Sequence, residues 1–279
     1  MKKTRYLLIT TILGAVSTLM MAGCTGPVKN EQQLRSVTED MQKAIQARLL
    51  DLDSGISAAA DKIAVSGLQG EETRAILNGL CGKYPFLMEC ASADTTGKLI
   101  TVAPEEYRRY EGTDTATTDA SKKYFADFVA KRKPMLSNIF KTVEGPDAVV
   151  LVRPVVTGEG EMLGVVSVLI KPEKLVGDII GPIAERSAIK VNVAQTDALV
   201  IYCSNGAETG KNLLTDPRYK AYPELIAMGE KLVVQKTGTA EYTYISDATR
   251  KPVTKTVYWV TVGLHGTEWR LASITELVE

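Results

Sequence analysis

The chain has 279 residues, 45% of them apolar and 24% charged, with 33 basic side chains balanced by 33 acidic ones. That length suffices for one large domain or two modest ones. A formal net charge of zero leaves no field that would gather nucleic acid, so a nucleic-acid partner is not expected.

Lys2, Lys3 and Arg5 precede an apolar run from Tyr6 to Ser17, and Met21-Ala22-Gly23-Cys24 follows. A positive start, an apolar core and small residues before a cleavage point describe a secretory signal. The cysteine after Ala-Gly resembles a bacterial lipobox, with Met21 where leucine usually stands. The resemblance implies a signal peptide over 1–23 and a lipidated Cys24 as the mature N-terminus. The competing reading, an uncleaved membrane anchor, asks a short run to span ~30 Å of hydrocarbon. Either way the remainder is expected outside the cytoplasm (periplasm or cell surface) and tethered to a membrane. No later stretch approaches the ~20 apolar residues of a second span. A signal would therefore cross through a separate transmembrane protein.

Residues 24–30 read as a tether. From Glu31 to Ser66, apolar residues Leu34, Val37, Met41, Ile45, Leu49, Leu52, Ile56, Ala59 and Ile63 recur at steps near three and four. This spacing predicts one long amphipathic helix with a buried or partnered face. A homodimer through that stripe and packing on the chain's own lobes explain it equally well. Gly67 and Gly70 bracket a turn, and a second helix follows over Glu71–Leu80, so helices occupy 31–84. Among the cysteines after Cys24, a Cys81–Cys90 bridge competes with burial of Cys81, Cys90 and Cys203 as free thiols. The absence of any CxxC pair gives no reason to expect a metal.

From residue 85 the pattern turns to strands. Phe86–Ala93 and Lys98–Ala103 flank a hairpin turn at Asp94-Thr-Thr-Gly97. A helix containing Lys122-Lys123-Tyr124-Phe125 comes next, then strands over Leu136–Val143, Ala148–Val156 and Met162–Ile170. The order repeats about a hundred residues later. Ile189–Ala194 and Ala198–Cys203 lead to a helix near Asp216–Lys231 and strands over Gly238–Ile245, Thr254–Gly263 and Glu268–Thr275. The expected fold is α+β: a long helix, then two PAS-like lobes (85–184, membrane-distal, and 185–279, membrane-proximal), each an antiparallel sheet of about five strands flanked by helices.

The stretches "DTTGKLI", "YFADFVAKRKPMLSNIF", "VVLVRPVVTGEGEMLGVVSVLI" and "NGAETGKNL" carry a resemblance to double Cache sensor domains over about residues 31–279. The resemblance implies a sensor whose first lobe holds a ligand between its sheet and the loop and helix before its third strand. In amino-acid-binding members an arginine holds the ligand carboxylate and an aspartate its ammonium. Lys122 falls where that arginine stands, Tyr124 and Phe125 fall on aromatic positions, and Tyr107 in the preceding loop supplies another tyrosine. The downstream Tyr-x-Asp falls near Phe140-Lys141-Thr142 and is not matched, which leaves Asp147 as the nearest acid. A buried ammonium without a counter-charge is expensive. The expected ligand is therefore a small carboxylate without an amine, held by Lys122 and, if it faces the site, Arg153.

Helix geometry restricts this clamp. Side chains two apart point about 200° away from each other, so Lys122 and Tyr124 share a pocket only if the helix starts near Tyr124. A start at Asp119 instead packs Phe125, Phe128 and Val129 on the sheet and leaves the lysines in water.

Catalysis finds little support. The single histidine, His265, sits in a Gly-flanked turn that reads as a hairpin tip, and Asp51 and Asp53 read as solvated helix charges. No phosphate-binding or dinucleotide motif is present, and no cofactor is expected. Behind the sensor stand two alternatives: a structural or interaction lipoprotein that keeps the fold without a ligand, and an extracytoplasmic hydrolase.

Overall fold

The structure, a computed structural model, describes residues 26–117, 119–245 and 249–276, without the side chains of residues 119–121, 123 and 124. Cys24, the expected signal peptide and the side chain of Tyr124 lie outside the described residues.

Helix α1 (Glu31–Ser66) runs over the predicted span. Asn30 caps its start by accepting a hydrogen bond from the Gln33 backbone N–H at 2.9 Å. It stops at Gly67, whose φ of 87° suits a residue without a side chain and whose N–H returns to the Ile63 carbonyl. Leu34, Met41, Ile45, Leu49, Leu52, Ile56 and Ile63 on its stripe are fully buried. Each such side chain contributes roughly 1.5–3 kcal/mol relative to exposure. The stripe packs on the chain's own two sheets, which removes the apolar face that motivated the dimer reading. α2 (Glu71–Lys83) lies beside α1 and is tied to the first sheet by a Cys81–Cys90 disulfide, with Cα atoms 5.9 Å apart. Cys203 is free and buried.

The first sheet is built from β1 (Leu87–Asp94), β2 (Leu99–Ala103), β3 (Met135–Leu136), β4 (Phe140–Lys141), β5 (Asp147–Val156) and β6 (Met162–Ile170). Its order is β2-β1-β6-β5-β3, with β4 also paired to β5, and every pairing is antiparallel. The turn at Asp94–Gly97 closes as predicted, with the Asp94 carboxylate accepting the Thr96 and Lys98 backbone N–H groups. The single strand expected over 136–143 is instead broken into β3 and β4. Ser137 accepts the Val150 N–H through its hydroxyl, and the Ile139 N–H donates to the Gln195 side chain of the second lobe. Those bonds replace the ladder between the two pieces.

α4 (Pro172–Ser187) connects the lobes and was not foreseen; the lobe boundary expected at 184/185 falls inside it. The second sheet has order β8-β7-β11-β10-β9, from β7 (Lys190–Gln195), β8 (Val200–Cys203), β9 (Gly238–Ile245), β10 (Pro252–Leu264) and β11 (Thr267–Thr275). The helix expected over 216–231 is a short 3-10 helix, Pro217–Ala221, followed by α5 (Pro223–Val234). Pro223 explains the break, since it disfavours helical backbone at Tyr222. The buried Arg270 donates to the Leu232 and Gln235 carbonyls, each at 3.0 Å, and so satisfies the C-terminal end of α5.

β10 outruns its neighbour β9, so its backbone is free on one side beyond Trp259. α1 fills the gap: Gln42 donates to the Thr261 carbonyl at 2.7 Å, and Gln46 exchanges two hydrogen bonds with Gly263. These bonds tie the long helix to the second sheet, and it packs on both.

Candidate functional site

The first sheet has two different faces. Its inner face, with Val149, Leu151, Val166, Val168 and Ile170, belongs to the core around α1. Its outer face is read from the register: Glu89 lies opposite Leu169 and Leu169 opposite Val150, while Ala93 lies opposite Val165. Directly opposed residues share a face. Alanines at 91, 93 and 148 keep parts of this face low. A separate layer covers it: Tyr107 from the 3-10 helix Glu105–Tyr110, Phe125, Phe128 and Val129 from α3 (Asp119–Lys131), and Met135 and Met162 from strand ends. Glu111 anchors the loop by accepting from Arg74 of α2 at 2.9 Å and from the Val102 N–H at 3.0 Å. Burial raises the carboxyl of Glu111, but these donors outweigh it and hold it below the ordinary carboxylate range.

The expected site residues are only partly brought together. Tyr107 and Phe125 both pack in the outer layer. α3 starts at Asp119, so the late helix start near Tyr124 that the Lys122–Tyr124 clamp requires is not found. Lys122 is exposed, and Phe128, only 3% exposed, takes the apolar contact instead. Phe140 is 41% exposed on the short strand β4, and Asp147 is an exposed partner of Lys141 at 3.5 Å. Arg153 faces the opposite way. It reaches α1 and donates two hydrogen bonds to Asp53, at 3.1 and 2.7 Å, so it offers no free charge to a ligand on the outer face.

That pairing also corrects the reading of Asp53 as a solvated charge. His265 Nε2 lies 2.8 Å from the Asp53 Oδ1, so one α1 carboxylate joins the first sheet to the β10–β11 turn of the second. Desolvation raises the Asp53 carboxyl, and the hydrogen bonds from Arg153 and His265 overcome it and lower it on balance. His265 is at a hairpin tip as expected, with φ 52°, but its ring is used structurally.

Two acids missed by the sequence reading sit against the outer layer. Glu89 is 3% exposed, with its Oε2 buried. Glu144, in the turn between β4 and β5, has a buried Oε2 as well, and Glu89, held protonated, hydrogen-bonds Glu144. Burial, followed by the nearby negative charge of Glu144, pushes the Glu89 carboxyl up to about 9. A legible signal existed, because Glu89 interrupts an otherwise apolar strand, Leu87-Met88-Glu89-Cys90-Ala91. Nothing in the turn Glu144-Gly-Pro-Asp147 marked Glu144.

The second lobe treats its corresponding face differently. Glu208 is held by Lys190 and by the Asn192 amide, each at 2.6 Å. Leu213, Leu225, Met228 and Tyr242 fill the space around them, leaving a cavity of about 10 Å³, room for a single water.

A spine helix followed by two antiparallel sheets, each with a helical cover on its outer face, is the fold of a double Cache sensor domain. Residues 47–172 match the family described as "HK/GC/Chemotaxis protein-like, sensor domain". An extracellular ligand-binding receptor from Desulfohalobium retbaense DSM5692 is 29% identical, with a TM-score of 0.71 over 88% of this chain. This chain spans 40% of that protein's length. The ligand-binding domain of the Pseudomonas aeruginosa PAO1 amino-acid chemoreceptor PctC, solved with GABA, aligns at 16% identity and TM-score 0.58, covering 88% of this chain and 99% of that one. The periplasmic sensory domain of the Campylobacter jejuni chemoreceptor Tlp1 aligns at 10% identity and TM-score 0.60, covering 88% and 94%. No curated protein sequence matches the chain. The family and these neighbours describe sensing and ligand binding, not catalysis.

Proposed function

We propose that the protein is an extracytoplasmic small-molecule sensor, lipid-anchored at Cys24, that binds its ligand in the first lobe and acts through a separate membrane partner. The ligand would lie over the outer face of the first sheet, beneath Tyr107 and Phe125. The observation that carries this reading is the difference between the lobes. The second lobe's outer face is filled by its own side chains and its acid is fully partnered. The first lobe's face keeps small residues and two buried carboxyl oxygens under a cover of Tyr107, Phe125 and Phe128. The sensor-domain match over 47–172 covers the same segment. A carboxylate on the ligand, as expected from the sequence, would have Lys122 at the exposed rim as its cation. The spine helix supports the signalling part of the proposal, because it contacts both sheets through Asp53, Gln42 and Gln46. The separate transmembrane partner belongs to the proposal; among the described residues no helix is long and apolar enough to cross a membrane.

The test is thermal denaturation of the full-length protein against a panel of organic acids and amino acids. Excess ligand that binds the folded state must raise the melting temperature. Failure of the whole panel to shift it would overturn the sensing proposal in favour of a ligand-free interaction protein. A Lys122→Ala variant should bind a confirmed carboxylate more weakly than wild type, and equal binding would remove Lys122 from the site. Radiolabelled palmitate should enter the wild type but not Cys24→Ser.

A further inference from the structure

We infer that residues 132–139 are the mechanical link by which movement of the first lobe's cover reaches the second sheet. The inference rests on the sensing proposal and supplies the route by which a ligand held under the cover would be signalled.

The link begins inside the cover. α3 ends at Lys131, and Arg132 takes a left-handed turn with φ 49°, its N–H returning to the Phe128 carbonyl at 2.9 Å. Pro134 follows; its ring fixes its own φ and disfavours helical backbone at Lys133. The helix is thus joined to β3 by a short connection with little slack. Met135 packs in the outer layer with Phe125 and Phe128, while its neighbour Leu136 is buried in the core on the other face. The far end is held by the second lobe. The Thr267 hydroxyl, at the start of β11, donates to the Leu136 carbonyl, and the Ile139 N–H donates to Gln195 Oε1 at 2.5 Å.

The grip falls on the middle of the second sheet. β7 and β11 are neighbours there, and Gln195 lies opposite the fully buried Trp269. Gln195 is itself buried, so withdrawing Ile139 would strand a buried acceptor. The ends of β7 and β11 must then follow the segment or lose its bonds. Pairing to β5 stops after Leu136 and resumes at Phe140, so single bonds from Ser137 and Gln195 set the stretch between them. Such a stretch can adopt a second arrangement without dismantling the sheet, which is what coupling between two sites requires. α1 also touches both sheets, but it meets the first from the inner face, where Arg153 reaches Asp53. The segment is joined to the cover itself, so a ligand that shifts Phe125 and Phe128 acts on it directly.

Amide hydrogen exchange on the full-length protein in detergent tests the link without any ligand. Phe128→Leu loosens the cover, Val102→Ala loosens the same outer layer from β2, and Gln195→Leu with Thr267→Val cuts the link. Faster exchange over α3 reports that the cover has loosened. Phe128→Leu should then speed exchange over residues 263–269 roughly fivefold or more, and Val102→Ala should leave it within about twofold. In the Gln195→Leu/Thr267→Val background the effect of Phe128→Leu should fall below about twofold. Faster exchange over α3 with none at 263–269 overturns the inference, and so does an equal response in the cut background. An equal response to Val102→Ala also overturns it, because the lobes would then be coupled through general loosening. Melting curves check that each variant is folded, and Phe128→Met, which keeps more of the volume, takes the place of Phe128→Leu if that variant is not. The exchange result decides the link, whereas the thermal-shift panel decides the sensing proposal, so the two fail separately.

Discussion

Replacing Glu89 with glutamine should stabilise the ligand-free protein, by an amount that grows with pH. The folded-state carboxyl is raised from an ordinary 4.5 to about 9, by burial first and by Glu144 second. A carboxyl raised in this way contributes its full stability below the unfolded value and loses it as pH rises through the folded value. For Glu89 the window therefore runs from 4.5 up to about 9. Within it, each pH unit costs the wild type about 1.4 kcal/mol relative to a side chain that does not titrate. Between pH 5 and pH 7 the stability gap between variant and wild type should widen by roughly 2–3 kcal/mol, or about 4–12 °C for a chain of this size. Paired thermal melts across that range, without ligand, measure the gap directly. A gap that stays flat or narrows as pH rises would refute the placement of Glu89 as a buried, protonated acid.

Asp53→Asn should lower stability by about 2–3 kcal/mol near neutral pH, because it leaves the half-buried Arg153 guanidinium without its charge partner. Since the Asp53 carboxyl is lowered on folding, that contribution is present above the ordinary 3.8 and lost as pH falls through the folded value. Urea titrations of the variant should converge with wild type at strongly acid pH. Reducing the Cys81–Cys90 bridge, which closes a loop with a sequence separation of 9, should cost about 2–3 kcal/mol and lower the melting temperature in dithiothreitol. Arg270→Met should cost about 2–4 kcal/mol by stripping donors from the α5 carboxyl end, with faster hydrogen exchange over α5 as its local signature.

The elements that were legible in the sequence are those whose periodicity is local. The 3.6-residue stripe of α1 and the alternating strands around the Asp94–Gly97 turn record their own geometry in the chain, because each must bury one face. α4 was equally readable in principle. Pro172 at its first turn and Leu175, Val176, Ile180 and Ala184 at helical spacing mark it. Short strands broken by tertiary bonds were not readable. The Ile139 N–H leaves the ladder for Gln195, which is far away in sequence.

By itself, then, the sequence determined the existence of a spine helix with one apolar face, the repeat of two antiparallel sheets, and the resemblance to a double Cache sensor. Only the tertiary structure decided which charges meet. Arg153 turns to Asp53, and Asp53 also takes His265, contacts spanning 100 and 212 positions that no local pattern encodes. The same packing spends the α1 stripe within the chain, sends Lys122 to solvent through an early helix start, and leaves Glu89 buried beside Glu144. The reason is physical. Periodicity reports the burial of a side chain's own neighbourhood, whereas the charge of a site depends on which distant side chains meet.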